Sequence, residues 1–266
     1  MVLTPIFDSH GDKSVMRVAA FMSGSGTNVI KLLKRQMELN QEPGGSPFKL
    51  IFIFSDRADG VSMGEKIAYD AGIPYFSHDI NRFYSAKGLK KTCLTREGME
   101  ARREFDSVAA RLIKAFDIDV ICLAGYMSYL TLHRSLNVHP GDLSILTDDG
   151  ERKYIGDHAV ADAIACGESS LRSSTIWIDS GVDTGPLLMV SKPLKVELPI
   201  PLQDLLKDGP AFKKVVEDYQ TCLKEIGDWK ILPLTLEMIA RGRFSLDKRN
   251  NVYLDEKPMP KGYRLE

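Results

Sequence analysis

Apolar and polar positions follow one another along the chain in blocks that predict strands and helices in turn. The stretch 49–54 is almost continuously apolar, which is typical of a parallel strand covered on both faces. Apolar positions recur at helical spacing from residue 29, directly after a glycine-rich turn. Strands are predicted at 17–22, 49–54, 75–77, 120–124, 134–138, 175–178 and 187–196. Helices are predicted at 29–37, 98–116, 157–165, 211–226 and 232–240, and a further helix is predicted to end at residue 71. This alternation predicts an α/β fold, a doubly wound and mainly parallel sheet with right-handed crossovers.

Both ends of the chain depart from the alternation. Residues 1–16 are predicted to be an N-terminal extension, so the domain itself is expected over 17–266. Residues 244–254 predict a hairpin that turns at 248–251, and the C-terminal part is therefore expected to be a small helical and hairpin extension. The basic stretch 81–97 is predicted to be a solvated insertion between elements.

Composition narrows the class of partner to small molecules. Lysine and arginine (35) balance aspartate and glutamate (36), so no positive field exists to recruit nucleic acid or an anionic membrane. No apolar run approaches the roughly 20 residues that span a bilayer. Residues 1–16 lack the apolar core of a signal peptide, and the four cysteines show no metal-binding or disulfide spacing. We therefore expect a cytoplasmic protein without a metal site, and its oligomeric state is left open.

Two polar side chains lie at the end of the strand predicted at 134–138. Alternate residues of a strand point the same way, so Asn137 and His139 share one face just before Pro140 ends the ladder. An amide beside an imidazole at the carboxyl edge of a sheet is suited to hold a carbonyl while a proton moves. Asp183, in the glycine-containing loop 179–186, is placed to complete the group. The alternative is an ordinary strand end and a hairpin turn.

The turn Ser-Gly-Ser-Gly-Thr-Asn at 23–28 follows the first predicted strand and opens a helix. Free backbone amides at a helix start receive anions, and Thr27 and Asn28 add side-chain donors after Gly26. The turn lacks the lysine of a P-loop and the third glycine of a dinucleotide fingerprint. It predicts a phosphate cradle, with a tight turn that binds no ligand as the alternative.

Five stretches, taken in order, resemble the folate-dependent formyltransferases. They are Ser-Gly-Ser-Gly-Thr-Asn (23–28), Leu-Ala-Gly-Tyr-Met (123–127), Asn-Val-His-Pro (137–140), Gly-Val-Asp-Thr-Gly-Pro (181–186) and Asp-Glu-Lys-Pro-Met-Pro-Lys-Gly-Tyr (255–263). The last of them resembles the end of the family members that formylate glycinamide ribonucleotide in purine synthesis. The sequence shows neither the extra barrel domain of the initiator-tRNA formylases nor the regulatory domain of the formylfolate hydrolases.

The resemblance implies an enzyme that moves the formyl group of 10-formyltetrahydrofolate to the amine of glycinamide ribonucleotide. A formyltransferase for another amine and a formyltetrahydrofolate hydrolase are the alternatives within the family. A catalytically silent protein that binds folate or a nucleotide is the alternative from another class.

The resemblance also implies roles for individual residues. Asn137, His139 and Asp183 are similar to the catalytic group, and Gly26, Thr27 and Asn28 to the site of the substrate phosphate. Asp228 stands in place of a glutamate expected near the ribose. The folate side is implied to include Arg102, Met127, Ser128, Tyr129, Leu130, Ile178 and Asp179.

The chain departs from the family pattern at several of these positions. Ser128 stands where the family usually has arginine. After Pro140 the usual Ser-Leu-Leu-Pro is replaced by Gly-Asp-Leu-Ser and a longer acidic stretch. We predict that 141–156 is a mobile lid with few apolar anchors, its acidic residues facing solvent and Leu143 and Ile145 turned inward.

Overall fold

The computed structural model of the protein describes residues 2–266. Its strands, in chain order, are β1 (Thr4–Pro5), β2 (Met16–Met22), β3 (Phe48–Ser55), β4 (Tyr75–Ser77), β5 (Val120–Leu123), β6 (Ser135–His139), β7 (Ser170–Leu171), β8 (Ser174–Trp177), β9 (Leu187–Val190), β10 (Leu194–Lys195), β11 (Phe244–Leu246), β12 (Val252–Leu254), β13 (Lys257–Pro258) and β14 (Tyr263–Arg264). Its helices are α1 (Thr27–Leu39), α2 (Gly64–Ala71), α3 (Ile80–Ala86), α4 (Arg96–Ala115), α5 (Ala159–Ala165), α6 (Leu202–Leu205), α7 (Gly209–Leu223) and α8 (Trp229–Ala240). A π-helical turn, Lys224–Asp228, joins α7 to α8.

These elements form two compact units. The N-terminal unit comprises Phe7–Asn137 and Ile239–Gly242, and the C-terminal unit comprises the residues up to Ile6, Val138–Met238 and Arg243–Glu266. No helix within residues 2–266 combines the length and the apolar character that crossing a membrane requires.

The N-terminal unit is built on a parallel sheet whose strands lie in the order β4-β3-β2-β5-β6. The chain adds β3 and β4 on one side of β2 and then returns to add β5 and β6 on the other. The order therefore reverses between β2 and β5, the kind of point where open α/β sheets bind ligands outside the carboxyl ends of their strands. Both strands are buried, as the apolar character of their residues requires.

The C-terminal unit contains shorter strands, most of which pair antiparallel. Strand β8 pairs antiparallel with β9, and β14 pairs parallel with β9. A second sheet has the order β1-β11-β12-β13, and its β11–β12 pair is the predicted hairpin around residues 248–251. Helices α5 and α7 share one apolar cluster in which Ala163, Ile164 and Leu223 are buried. The predicted α/β class with a mainly parallel sheet is confirmed.

Some predicted boundaries were wrong. Arg134 adopts a left-handed backbone (φ 59°), so β6 begins at Ser135. The predicted strand 187–196 divides into β9 and β10 on either side of Pro193, which has no N–H for a ladder. The basic stretch 81–97 was expected to be an insertion without an element, yet it contains most of α3, whose Ile80 and Tyr84 are buried against α4.

The predicted N-terminal extension takes part in both units. In the C-terminal unit, β1 pairs with β11. In the N-terminal unit, Lys13 forms ion pairs with Asp117 and Asp119 at 2.7 and 2.9 Å. Phe7 is buried as well, so this stretch is packed rather than free.

Candidate active site

His139, the last residue of β6, lies in the C-terminal unit with its ring almost fully enclosed. The residue is 4% exposed, and its Nδ1 lies 3.3 Å from Oδ2 of Asp183. Its Nε2 lies 2.8 Å from the backbone oxygen of Tyr154. Both ring nitrogens thus face oxygen acceptors, and a ring that carries protons on both nitrogens can donate to each. The structure brings together the histidine and the aspartate that the sequence singled out, in an arrangement that can hold positive charge and move a proton.

One segment, residues 152–156, holds this pair in place through alternate residues. Arg152 donates to the backbone oxygen of Asp183. Tyr154 offers its carbonyl to His139, and the N–H of Gly156 donates to Oδ2 of Asp183 at 2.9 Å. A single stretch of chain therefore contacts the imidazole, the carboxylate and the backbone of the loop.

The side chain of Tyr154 anchors this segment. It is 1% exposed and belongs to the apolar cluster that includes Val160 and Ile164 of α5. Its hydroxyl donates to Glu168 at 2.5 Å, and burial together with this carboxylate raises the pKa of Tyr154 far above its usual range. The phenol therefore stays a neutral donor, and the carbonyl that faces His139 is held by a buried, hydrogen-bonded side chain.

The predicted lid at 141–156 is therefore more strongly anchored than its composition suggests. Leu143 is buried, as expected, and its N–H donates to the Ser174 hydroxyl at 3.0 Å. The expectation that all the acidic residues face solvent was wrong, because Asp142 is buried and accepts from Arg264 at 3.1 Å. The expectation of few apolar anchors was also wrong. The part that is exposed throughout is the tip of the segment, residues 146–151.

Two glycines permit close contacts, Gly141 beside His139 and Gly185 beside the backbone of Trp177. A Cβ on Gly141 would lie 2.8 Å from Nε2 of His139 and 2.9 Å from the carbonyl of Tyr154. A Cβ on Gly185 would lie 1.9 Å from the backbone oxygen of Trp177. Real side chains do not approach so closely, so both positions require glycine.

Asn137 precedes His139 by two residues on β6 and is half-buried in the N-terminal unit, where it pairs with Leu123 of β5. A role for Asn137 in catalysis stays a prediction.

The turn at 23–28 has the form of an anion cradle within the N-terminal unit. Gly26 is the N-cap of α1 with φ 68°, and no side chain caps the helix. A Cβ there would lie 2.4 Å from Ile67 and 2.8 Å from Met22, so only glycine fits. The first-turn amides of Thr27 and Asn28 are thus left for a ligand, and Oδ1 of Asn28 is buried without a partner among the described residues.

Arg102 lies inside the N-terminal unit and is 1% exposed. Its guanidinium forms an ion pair with Asp106 at 2.8 Å and donates to the Tyr126 hydroxyl at 3.0 Å. Asp106 in turn accepts from the backbone and hydroxyl of Thr131 at 2.8 and 2.7 Å. These bonds position the segment after β5, and a direct contact of Arg102 with folate stays a prediction.

The residues after β5 lie in contrasting environments. Met127 is 72% exposed, Tyr129 is half-buried and Leu130 is buried. The hydroxyl of Ser128 donates to Oδ2 of Asp56 at 2.5 Å. Asp56 follows β3, and the sequence analysis had not identified it as a site residue.

The remaining predicted site residues belong to the C-terminal unit. Ile178 is half-buried, and the carboxylate of Asp179 accepts from the Gly181 N–H at 2.9 Å and the Thr184 hydroxyl at 2.7 Å, which shapes the loop. Asp228 is 5% exposed, and burial raises its pKa to about 6. Their contacts with substrates stay predictions.

Comparisons with known proteins show the family. The Formyl transferase family matches residues 16–197. A phosphoribosylglycinamide formyltransferase of Haemophilus influenzae is 25% identical over 258 residues, which cover 94% of this chain and 99% of that protein. The human trifunctional purine biosynthetic protein adenosine-3 is 24% identical over 248 residues, which cover 91% of this chain and 20% of that protein.

Solved structures share the fold. A phosphoribosylglycinamide formyltransferase from Coxiella burnetii superposes with a TM-score of 0.66 at 23% identity and covers 95% of this chain and 100% of that one. A glycinamide ribonucleotide transformylase from Symbiobacterium toebii gives a TM-score of 0.61 at 22% identity and covers 93% of this chain and 98% of that one.

Proposed function

The chain belongs to the formyl transferase family, and from that premise we propose that it transfers the formyl group of 10-formyltetrahydrofolate to the amine of glycinamide ribonucleotide. The observation that carries the proposal is the buried His139–Asp183 pair, held on both sides by the 152–156 segment. Family relatives of matching length that bear the corresponding name support the choice of acceptor.

The geometry suits stabilisation of charge during attack on a formyl group. The neutral amine attacks the formyl carbon, the carbonyl oxygen becomes an oxyanion, and the bond to the folate nitrogen then breaks. Asp183 and the Tyr154 carbonyl fix the orientation of the His139 ring, so the ring can respond to the forming oxyanion without reorganisation of the site. The amide of Asn137 is proposed to donate to the same oxyanion.

Asp183 is proposed to carry the proton that the attacking amine loses. Its Oδ2 is occupied by His139 and the N–H of Gly156, so Oδ1 is the oxygen proposed to face the substrates. That oxygen is available to accept the amine proton, through water, and to return it to the departing folate nitrogen. The reaction needs no covalent enzyme intermediate. Cys122 is buried and burial raises its pKa far above the usual range, so it offers no nucleophile.

The substrate contacts follow the family resemblance. Gly26, Thr27 and Asn28 are proposed to bind the phosphate, and Asp228 to lie on the substrate side. The folate side is proposed to involve Arg102, Met127, Ser128, Tyr129, Leu130, Ile178 and Asp179.

A formyl-transfer assay with a panel of acceptors tests the proposal. The purified protein is supplied with 10-formyltetrahydrofolate and with glycinamide ribonucleotide, glycinamide or other phosphorylated amines, and the products are identified by mass spectrometry. Formylation of glycinamide ribonucleotide in preference to the other amines is expected. Free formate in the absence of any acceptor would identify a hydrolase, and folate binding without turnover a silent binding protein.

Inorganic phosphate is expected to compete with the acceptor. Free amides at the start of α1 bind an anion through the backbone, so phosphate should raise the KM of glycinamide ribonucleotide and leave the KM of the folate unchanged. Initial rates at several phosphate concentrations measure this. A competitive pattern against the folate alone would place the anion site elsewhere.

Replacing Arg152 with methionine is expected to lower kcat by about 10-fold with little change in either KM, because two hydrogen bonds that fix the Asp183 loop are lost. Arg152 is a positioning residue here, bonded to the backbone oxygens of Asp183 and Gly185. Glu151→Gln, one residue away and exposed, serves as the matched control and should keep the wild-type kcat. A rise in KM without a change in kcat would contradict the positioning role.

A further inference from the structure

Asp56 is a buried carboxylate with half of its hydrogen-bonding capacity unused. It is 2% exposed, and its Oδ2 accepts the hydroxyl of Ser128 at 2.5 Å. Its Oδ1 is buried and has no partner among the described residues. A carboxylate oxygen removed from water without a donor is strongly disfavoured, so such an atom indicates a group that arrives with a ligand.

The place of Asp56 in the sheet identifies the kind of ligand. Met22 pairs with Ser55, so the residues that follow them, Ser23 and Asp56, leave neighbouring strands at the same carboxyl edge. Ser23 opens the glycine turn, and its hydroxyl accepts the N–H of Met127 at 2.9 Å. Asp56 and the turn therefore lie beside the β2–β5 crevice, where the strand order reverses.

A glycine turn after one strand and a carboxylate after the next form a recurring arrangement in nucleotide-binding α/β sheets. The turn and the helix start hold a phosphate, and the carboxylate accepts hydrogen bonds from the ribose hydroxyls. This chain lacks the third glycine of the dinucleotide version but has both of the other parts, Gly24 and Gly26 in the turn and Asp56 at the end of β3. The arrangement fits a ligand with one phosphorylated ribose.

We propose that Asp56 accepts a hydrogen bond from a ribose hydroxyl of the substrate, with Ser128 fixing the carboxylate. Asp56 is then a specificity-determining residue that favours a phosphorylated ribose over its deoxy counterpart. The Ser128 hydroxyl holds Oδ2, which leaves Oδ1 for the sugar. The acceptor named in the test, glycinamide ribonucleotide, rests on the proposed function, whereas the class of sugar does not.

Binding of two sugar phosphates tests the proposal without any turnover. Methyl ribofuranoside 5-phosphate and its 2-deoxy counterpart are titrated into the wild-type protein by calorimetry. The ribose compound is expected to bind about 10- to 100-fold more tightly, the range for a hydrogen bond to a charged group. Asp56→Asn should lower this preference at least 5-fold and leave the affinity for the deoxy compound within about 2-fold of wild type.

Two further variants make the result specific. Asp59→Asn removes an exposed carboxylate three residues later, one that pairs with Arg57, and should keep the full preference for ribose. Ser128→Ala should weaken the preference by less than Asp56→Asn. An unchanged preference in Asp56→Asn, or an equal loss of affinity for both sugars, would overturn the proposal.

The formyl-transfer assay separates this proposal from the proposed function. If glycinamide ribonucleotide is formylated, Asp56→Asn should raise its KM about 10-fold and leave the KM of the folate unchanged. If it is not formylated, but the wild-type protein discriminates between the two sugars and Asp56→Asn loses that preference, the proposed function fails and the role of Asp56 stands. If formylation proceeds and Asp56→Asn still discriminates between the sugars as the wild type does, the role of Asp56 fails alone.

Discussion

Replacing His139 with alanine is expected to lower kcat for formyl transfer by about 10²- to 10⁴-fold. The substitution removes the ring that faces Asp183 and that is proposed to stabilise the oxyanion. Steady-state rates with saturating folate and acceptor measure the loss, and circular dichroism checks the fold. We expect the two KM values to change little, because the ring is proposed to act on the transition state more than on the bound substrates.

The control for this variant is His133→Ala. His133 precedes the same strand but is exposed, so its loss should leave kcat unchanged. Asp183→Asn keeps the shape of the aspartate while removing its charge, and combining it with His139→Ala should add little to the single loss, because the two residues act as a unit. A wild-type rate in His139→Ala would remove the histidine from the mechanism.

The regular elements of this fold could be predicted where local signals agree. The apolar run of β3 and the helix that stops at Gly72 are examples: Gly72 has the left-handed φ of 66° that a helix end favours. Prediction failed where a distant contact decides the structure. The sequence pattern predicts one strand over β9 and β10, but β10 pairs with β7, a partner that no local pattern reveals.

The candidate site divides in the same way. Asn137, His139 and Asp183 could be proposed from the sequence because their residue types suit proton transfer, and the structure brings His139 and Asp183 together. The supports of the pair could not be predicted, because Arg152 acts on backbone oxygens 31 and 33 residues away and Tyr154 acts through its carbonyl. A backbone group has no sequence signature. Asp56 does have a sequence signature, because it follows the strand after the glycine turn. The turn lacks the third glycine of the dinucleotide fingerprint, however, and Asp56 was therefore not predicted as a site residue.

Asp228 is a carboxylate in a place that opposes its charge. It ends the π-helical turn, and its neighbour Gly227 approaches so closely that a Cβ there would lie 2.3 Å from the Ser173 hydroxyl. Its Oδ1 is buried without a partner among the described residues. Burial raises its pKa from 3.8 to about 6, an effect that the charge of Lys224 only partly offsets.

The raised pKa has a definite consequence for stability. The native state holds the proton of Asp228 more tightly than the unfolded chain does, so the native state binds more protons between the two pKa values. The stabilising contribution of the protonated form is complete below about pH 4 and is lost as the pH rises to about 6. Above that range the ionised, buried carboxylate lowers the free energy of unfolding by about 3 kcal/mol, since one pKa unit corresponds to about 1.4 kcal/mol.

Asp228→Asn is therefore expected to raise the free energy of unfolding at about pH 7 by up to about 3 kcal/mol. It should also remove the decline in stability between about pH 4 and pH 6, because asparagine does not titrate. Urea unfolding at several pH values measures both effects, and Asp218→Asn, an exposed carboxylate on α7, is the control that should change neither. A variant less stable than wild type at pH 7 would contradict the argument.

A carboxylate that destabilises the fold in which it lies is typical of a functional site. The same variant should therefore raise the KM of the acceptor, and a gain in stability with an unchanged KM would remove Asp228 from the substrate site.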